Sequence, residues 1–308
     1  MDQDLRDLIS KQWHYTMEVE PGVFTNGRLQ PAMGTQRQML GEIGVEGQRC
    51  LEFGTMEGLM SLLMAKRGAA RVTSHDRFNM PNRIELMQKL HGVSLDYHGG
   101  TSMTDFVAWA RESGTAPVDV LVFGGILYHF FDPVSGLGRA RGLLRDGGIM
   151  LIETSAVLDT DLVFHFGAKG EFYNSTDYHH PSVTLLDYLL RFFRLRPLDL
   201  SYFFQTKSRD GTKDLYRLCV ACRAEDHWLP EPDDAWMGMD RQRFDFAEVV
   251  DWDALTSDLP EVPYLQACAA VPCYREDGKT LDLMATLRAN APFDAPEESF
   301  KLLLADRA

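Results

Sequence analysis

The sequence predicts an α/β fold: a doubly wound, mostly parallel sheet of seven strands with an antiparallel edge. Three observations carry this. Short apolar runs alternate with stretches of helical spacing across residues 50–154, the pattern of a parallel sheet with helices on both faces. One run, 118–124, is nearly all apolar, as a strand buried on both faces must be. The first run ends in an acid and a glycine turn, Cys50-Leu51-Glu52-Phe53-Gly54-Thr55-Met56-Glu57-Gly58, followed by an apolar stretch of helical spacing that stops at Gly68. That is strand, tight turn, helix.

Taken in order, residues 1–20 show helical spacing at Leu5, Leu8, Ile9 and Trp13. The stretch 13–27 is aromatic-rich and holds the turn pairs Pro21-Gly22 and Asn26-Gly27, so it reads as a loop region. A helix over 33–43 leads into the first strand. The second strand is Val72-Thr73-Ser74-His75-Asp76, ending eighteen residues after Gly58. A helix over 81–90, a short strand over 95–100 and a helix over 104–112 follow, with Thr104 as N-cap. After the strand 118–124 come a helix over 133–144, the stop Asp146-Gly147-Gly148 and a fifth strand over 149–154. Residues 155–182 are rich in His, Phe, Tyr and Gly without a clean period. They read as an insertion over the mouth of the site, since ligands sit outside the carboxyl ends of the strands. A helix over 183–194 precedes strands at 200–205 and 216–223, paired across the turn 207–213. Three parts result: an N-terminal cover, 1–44; the α/β domain, 45–224; and an acidic appendage, 225–308.

The 308 residues carry a net charge of −14. Nucleic-acid binders usually present a basic face, because phosphate neutralisation supplies much of their affinity; the charge therefore weighs against such a partner. No apolar run approaches the about 20 residues a membrane span needs. The acidic start, Met1-Asp2-Gln3-Asp4, lacks a signal-peptide core, so a cytoplasmic protein is expected, with a homo-oligomer compatible. Five cysteines in a chain this long imply no disulfide framework.

The turn points to a ligand. An acid-x-Gly-x-x-x-Gly bend lets backbone pass where a side chain would clash. Asp76, closing the second strand, is placed to hold the two hydroxyls of a ribose. A dinucleotide fold would need Gly-x-Gly-x-x-Gly facing a pyrophosphate, but Glu52 stands where its first glycine belongs. A carboxylate there repels pyrophosphate and suits a cation. S-adenosylmethionine carries a sulfonium and an ammonium and has no phosphate.

The turn resembles motif I of class I methyltransferases, whose fold is Rossmann-like. Three further stretches extend the likeness: Gly124-Gly125-Ile126-Leu127-Tyr128-His129-Phe130-Phe131-Asp132-Pro133; Leu143 through Thr154 with its Asp146-Gly147-Gly148 and Glu153-Thr154; and Phe172-Tyr173-Asn174 with Pro181-Ser182. Together they resemble the tRNA wobble-uridine methyltransferase-like branch over roughly residues 13–205. The resemblance implies S-adenosylmethionine as cofactor and S-adenosylhomocysteine as product. It implies that Gly54, Thr55 and Gly58 line the cofactor, that Asp76, with Arg77 beside it, holds the ribose, and that Glu52 sits by the amino-acid moiety. Ser102 and Met103 would flank adenine, Gly124 would leave room for the methionyl part, and Tyr128 would approach the sulfonium. His14 and Thr25 join this set from the N-terminal segment. Relatives using a carboxylated cofactor need cations for the extra carboxylate; Phe130 and Phe131 after Tyr128-His129 offer none, so the ordinary cofactor is expected. Met56-Glu57 is bulkier than usual for such a turn.

Methyl transfer is an in-line displacement that often needs a proton removed, a task histidine suits near neutral pH. His179 is the first candidate, then His165, with His129 and Tyr128 from the fourth strand's end; His14 and His180 lie on neighbouring segments. Cys219-x-x-Cys222 with Cys268 and Cys273 could be drawn as a zinc site, but strand residues three apart face opposite sides, and no metal is expected. The reading is an O- or N-methyltransferase of a small molecule. A tRNA-modifying methyltransferase and a non-catalytic nucleoside-binding protein are the alternatives.

Overall fold

The computed structural model describes residues 6, 9–28, 30–167, 170–172, 177–225 and 281–306. A hairpin of β1 (Glu18–Glu20) and β2 (Val23–Phe24) comes first, then α1 (Pro31–Gly41). The alternation that follows is β3 (Arg49–Phe53), α2 (Leu59–Lys66), β4 (Arg71–Asp76), α3 (Pro81–His91), β5 (Asp96–Gly99), α4 (Met103–Glu112), β6 (Val118–Gly124), α5 (Pro133–Arg141) and β7 (Leu144–Val157). A small ladder, β8 (Phe164–Phe166) with β9 (His179–Pro181), precedes α6 (Val183–Phe192), β10 (Leu195–Lys207) and β11 (Asp214–Ala224). The chain closes on α7 (Leu283–Ala289) and a 3-10 turn at Glu297–Phe300.

Seven strands form one sheet in the order β10-β11-β7-β6-β3-β4-β5. β3 pairs in parallel with both β4 and β6, so the strand order reverses beside it. The crevice at such a switch point, outside the carboxyl ends, is where doubly wound folds hold ligands. β11 runs antiparallel to both β7 and β10. Alternate strand residues feed two cores: Leu51, Phe53, Leu121 and Phe123 on one face, Cys50, Val120 and Val122 on the other. Cys219 and Cys222 likewise fall into opposite cores. Among the described residues no helix is long and apolar enough to cross a membrane.

Several expectations change. The expected helix over 1–20 does not reach its end: helical backbone stops at Ser10, and Tyr15, Met17 and Glu18–Glu20 make strand pairings. From Met17 on, Met17 and Val19 are buried while Glu18 and Glu20 are partly exposed, a period of two that suits a strand. The cap of α4 is Ser102, whose hydroxyl accepts from Asp105 N at 3.1 Å, instead of Thr104. The region 155–182 is partly regular, since β7 continues to Val157 and β8–β9 forms a ladder. Residues 281–306 pack against α1, α6 and β10. Tyr173, Asn174, Trp228, Trp236, Trp252, Cys268 and Cys273 lie outside the described residues.

Candidate active site

The glycine turn leaves β3 with Gly54 at φ +77°, Met56 at +47° and Gly58 at +89°. Glycine takes this left-handed backbone without penalty, whereas Met56 adopts it at a cost of about 1–2 kcal/mol. A Cβ on Gly54 would stand 2.4 Å from Ile126 Cγ2. Glu52 builds the turn from inside: its Oε2 accepts Thr55 Oγ1 at 2.8 Å, Ser61 N at 2.8 Å and the Ser61 hydroxyl. Burial pushes its pKa up to about 7, against the pull of those hydrogen bonds. Asp76 closes β4 with Oδ2 accepting Met56 N at 2.7 Å and Oδ1 accepting Phe78 N at 2.8 Å. Burial raises its pKa as well. Arg77 is exposed, its guanidinium 5.5 Å from the Phe78 ring centre. Ser102 is exposed and Met103 half-buried at the start of α4, one strand further along the edge.

On the other side of β3, Gly124 ends β6. A Cβ there would come 2.4 Å from Gln36 Oε1. The Glu153 carboxylate, fully buried in β7, receives a two-pronged ion pair from Arg217 of β11: Nε to Oε1 at 2.6 Å, and Nη2 to Oε2. Arg217 Nη1 also donates to the Tyr128 hydroxyl at 2.8 Å, and Gln36 Nε2 to Glu153 Oε2 at 3.4 Å. Next to Tyr128, His129 Nδ1 lies 3.3 Å from Asp177 Oδ1; the acid is 1% exposed and the imidazole 38%.

The other histidines separate. His180 is buried, with Nδ1 2.6 Å from Ser155 Oγ and its ring stacked 6.0 Å from Tyr128. Burial first, then the Arg217 charge, lowers its pKa to about 3. His179 faces the opposite way in β9, among the rings of Phe131, Phe164 and Phe166. His165 pairs with Asp159 at 3.2 Å and lies 3.1 Å from Lys213 Nζ. From the N-terminal segment, the His14 ring meets Gln30 Nε2 at 3.4 Å. Burial, then the charges of Arg28, Arg217 and His129, bring its pKa down to about 4. Thr25 is taken up inside the segment, its hydroxyl donating to Tyr15 O at 2.8 Å and accepting Met17 N at 2.9 Å.

The structure thus groups His14, Tyr128 and His129, and adds Arg217, Glu153 and Asp177, none of which the sequence reading placed in the site. A cation does stand at Tyr128, brought by β11 instead of by the residues that follow in sequence. Glu52 is taken up inside the turn and Glu57 by Arg83, which leaves Asp76, at the tip of β4, as the acid placed for a nucleoside's hydroxyls.

The model of the family described as the methyltransferase domain matches residues 26–194. The chain belongs to the methyltransferase domain family. The fold is that of the class I methyltransferases; the family match is to the domain at large, and the wobble-uridine branch stays a likeness of motifs. This methyltransferase is 31% identical over 114 residues to the ubiquinone biosynthesis O-methyltransferase of Actinobacillus pleuropneumoniae serotype 5b (strain L20), covering 36% of this chain and 47% of that protein. Its likeness to the enzyme of the same description from Pseudomonas aeruginosa (strain LESB58) is 30% over 112 residues, covering 36% and 46%. The chain spans about half the length of these curated relatives. The N-terminal domain of EvdMO1, solved with SAH bound, shares the fold at a TM-score of 0.52 and 17% identity, over 73% of this chain and 98% of that one.

Proposed function

We propose that this methyltransferase transfers a methyl group to an oxygen or nitrogen of a small molecule in the cytoplasm. The observation that carries the reading is the His129–Asp177 pair, which stands beside Tyr128 at the carboxyl edge of β6, the strand next to the glycine turn. When bound, S-adenosylmethionine supplies the electrophilic methyl group. The chain's own residues do the rest. Gly54, Thr55, Gly58 and Gly124 admit backbone close to the cofactor, Asp76 takes its ribose, with Arg77 alongside, and Ser102 and Met103 border its base. Glu52 acts through the shape of the turn. The Asp177 carboxylate, 3.3 Å from His129 Nδ1, favours the tautomer protonated on that nitrogen, with Nε2 as acceptor for a proton from the substrate. Arg217, clamped by Glu153, orients the Tyr128 hydroxyl towards the reacting end. His14 covers the mouth, with Thr25 fixing the segment that carries it.

The curated relatives are described as O-methyltransferases, which favours oxygen as acceptor. A tRNA substrate is supported by the motif likeness and opposed by the net charge of −14. Calorimetric titration with S-adenosylmethionine and S-adenosylhomocysteine tests the cofactor reading: no heat with either removes it. Incubation with a metabolite library should give a product 14 mass units heavier; methylation of tRNA alone would install the alternative.

A further inference from the structure

Glu57 is the least expected residue of the glycine turn. It lies between Gly54 and Gly58 and is 1% exposed. Its Oε1 accepts two donors from outside the turn, His14 N at 3.0 Å and Arg83 Nη1 at 2.7 Å. The Arg83 guanidinium in turn lies 4.8 Å from the ring centre of Trp13, itself 1% exposed. Two consecutive residues of the N-terminal segment, Trp13 and His14, are therefore held on one carboxylate and its arginine. The hold passes along the segment, since Trp13 N donates to Asn26 O at 3.0 Å and Arg28 N to His14 O at 3.2 Å. The far end has a separate anchor: Glu18 N donates to Leu302 O at 2.8 Å, and Leu304 N to Glu18 Oε2 at 2.8 Å.

We propose that Glu57 is a positioning residue, a latch by which the cofactor turn holds residues 13–28 closed over itself, so that the cofactor leaves only when this latch opens. The inference rests on the reading that the turn holds the cofactor. A hydrogen bond to a charged group contributes enough that its loss should change an opening equilibrium about tenfold. The far anchor at Leu302 keeps the segment attached while its near end swings.

The test begins without cofactor. Amide hydrogen exchange of the Glu57→Ala protein should quicken about tenfold in residues 13–17 and 25–28, with β3 and β6 unchanged. Glu57→Gln, which keeps an acceptor oxygen, should restore most of the protection. Arg83→Met, which removes the contact with Trp13, should quicken the same amides and serves if Glu57→Ala does not fold. Stopped-flow release of S-adenosylhomocysteine should accelerate about tenfold in Glu57→Ala. Unchanged exchange at 13–28 in the variants, or an unchanged release rate, overturns the latch. If the wild-type protein does not bind S-adenosylhomocysteine, the cofactor reading fails, while the exchange result still decides whether Glu57 holds the segment.

Discussion

Glu52 shows how one side chain can keep its place and change its task. An acid ending the first strand invites the idea of a ligand contact, yet its Oε2 binds Thr55 and Ser61. The consequence is a pH dependence. With its pKa raised from 4.5 to about 7 in the fold, the native state holds a proton that the unfolded chain has lost. Its contribution to stability is complete below about pH 4.5 and disappears as pH rises through about 7. His14 and His180, lowered to about 4 and about 3, work in the other direction: their contribution is complete above 6.5 and is lost on acidification. The test is therefore a difference. The melting temperature of Glu52→Gln relative to wild type should rise from pH 5 to pH 7.5, and a flat difference would contradict the raised pKa. For turnover, Asp177→Asn should lower kcat about 10²-fold with little change in KM, as expected for a misoriented base. His179→Ala should stay within about twofold, because its ring sits among Phe131, Phe164 and Phe166.

Elements were legible where their period was clean. The apolar strand at Val118–Gly124 and the acid-glycine turn could be read directly, because burial on both faces and a tight turn each leave a local trace. Arg217 and Asp177 left none. Arg217 reaches Glu153 only because β11 pairs with β7, and Asp177 reaches His129 from 48 positions along the chain. The sequence ranks His179 first and does not show which way it or His180 points; adjacent strand residues point opposite ways, and that alternation is readable only with β9 in place. Helix α1 offers a prediction of reversed sign. Replacing a glycine inside a helix by alanine ordinarily gains about 1 kcal/mol. At Gly34 the new Cβ would come 2.5 Å from Phe300 Cε1 and 2.8 Å from Phe293 Cε1. Gly34→Ala should instead destabilise by about 1–3 kcal/mol through overpacking. Gly41→Ala, at the end of the same helix with no atom within 4 Å, is the control and should not destabilise. Denaturant melts of the two variants check this; a stabilised Gly34→Ala would mean that residues 293–300 yield without cost.

At the scale of the whole molecule, charge weighs against a nucleic-acid acceptor. Binding to tRNA draws on cations that face phosphates, each contact releasing counterions and steepening the salt dependence by about 0.7 to 0.9 per phosphate. Here 31 basic residues face 45 acidic ones. Many described arginines are already committed: Arg217 to Glu153, Arg83 to Glu57, Arg37 to Asp306, Arg145 to Asp119 and Arg71 to Asp96. An arginine paired this way must give up its carboxylate to serve a phosphate, which subtracts from any affinity gained. Arg217 is the extreme case, since releasing Glu153 would strand a fully buried acid. Filter binding of bulk tRNA should accordingly show no saturable retention at about 150 mM salt, where even non-specific binding by basic proteins reaches only about 10⁻⁴–10⁻⁶ M. Tight retention that falls steeply with added salt would locate a basic face that the charge pattern does not reveal, and would favour RNA as the acceptor over the small molecule proposed.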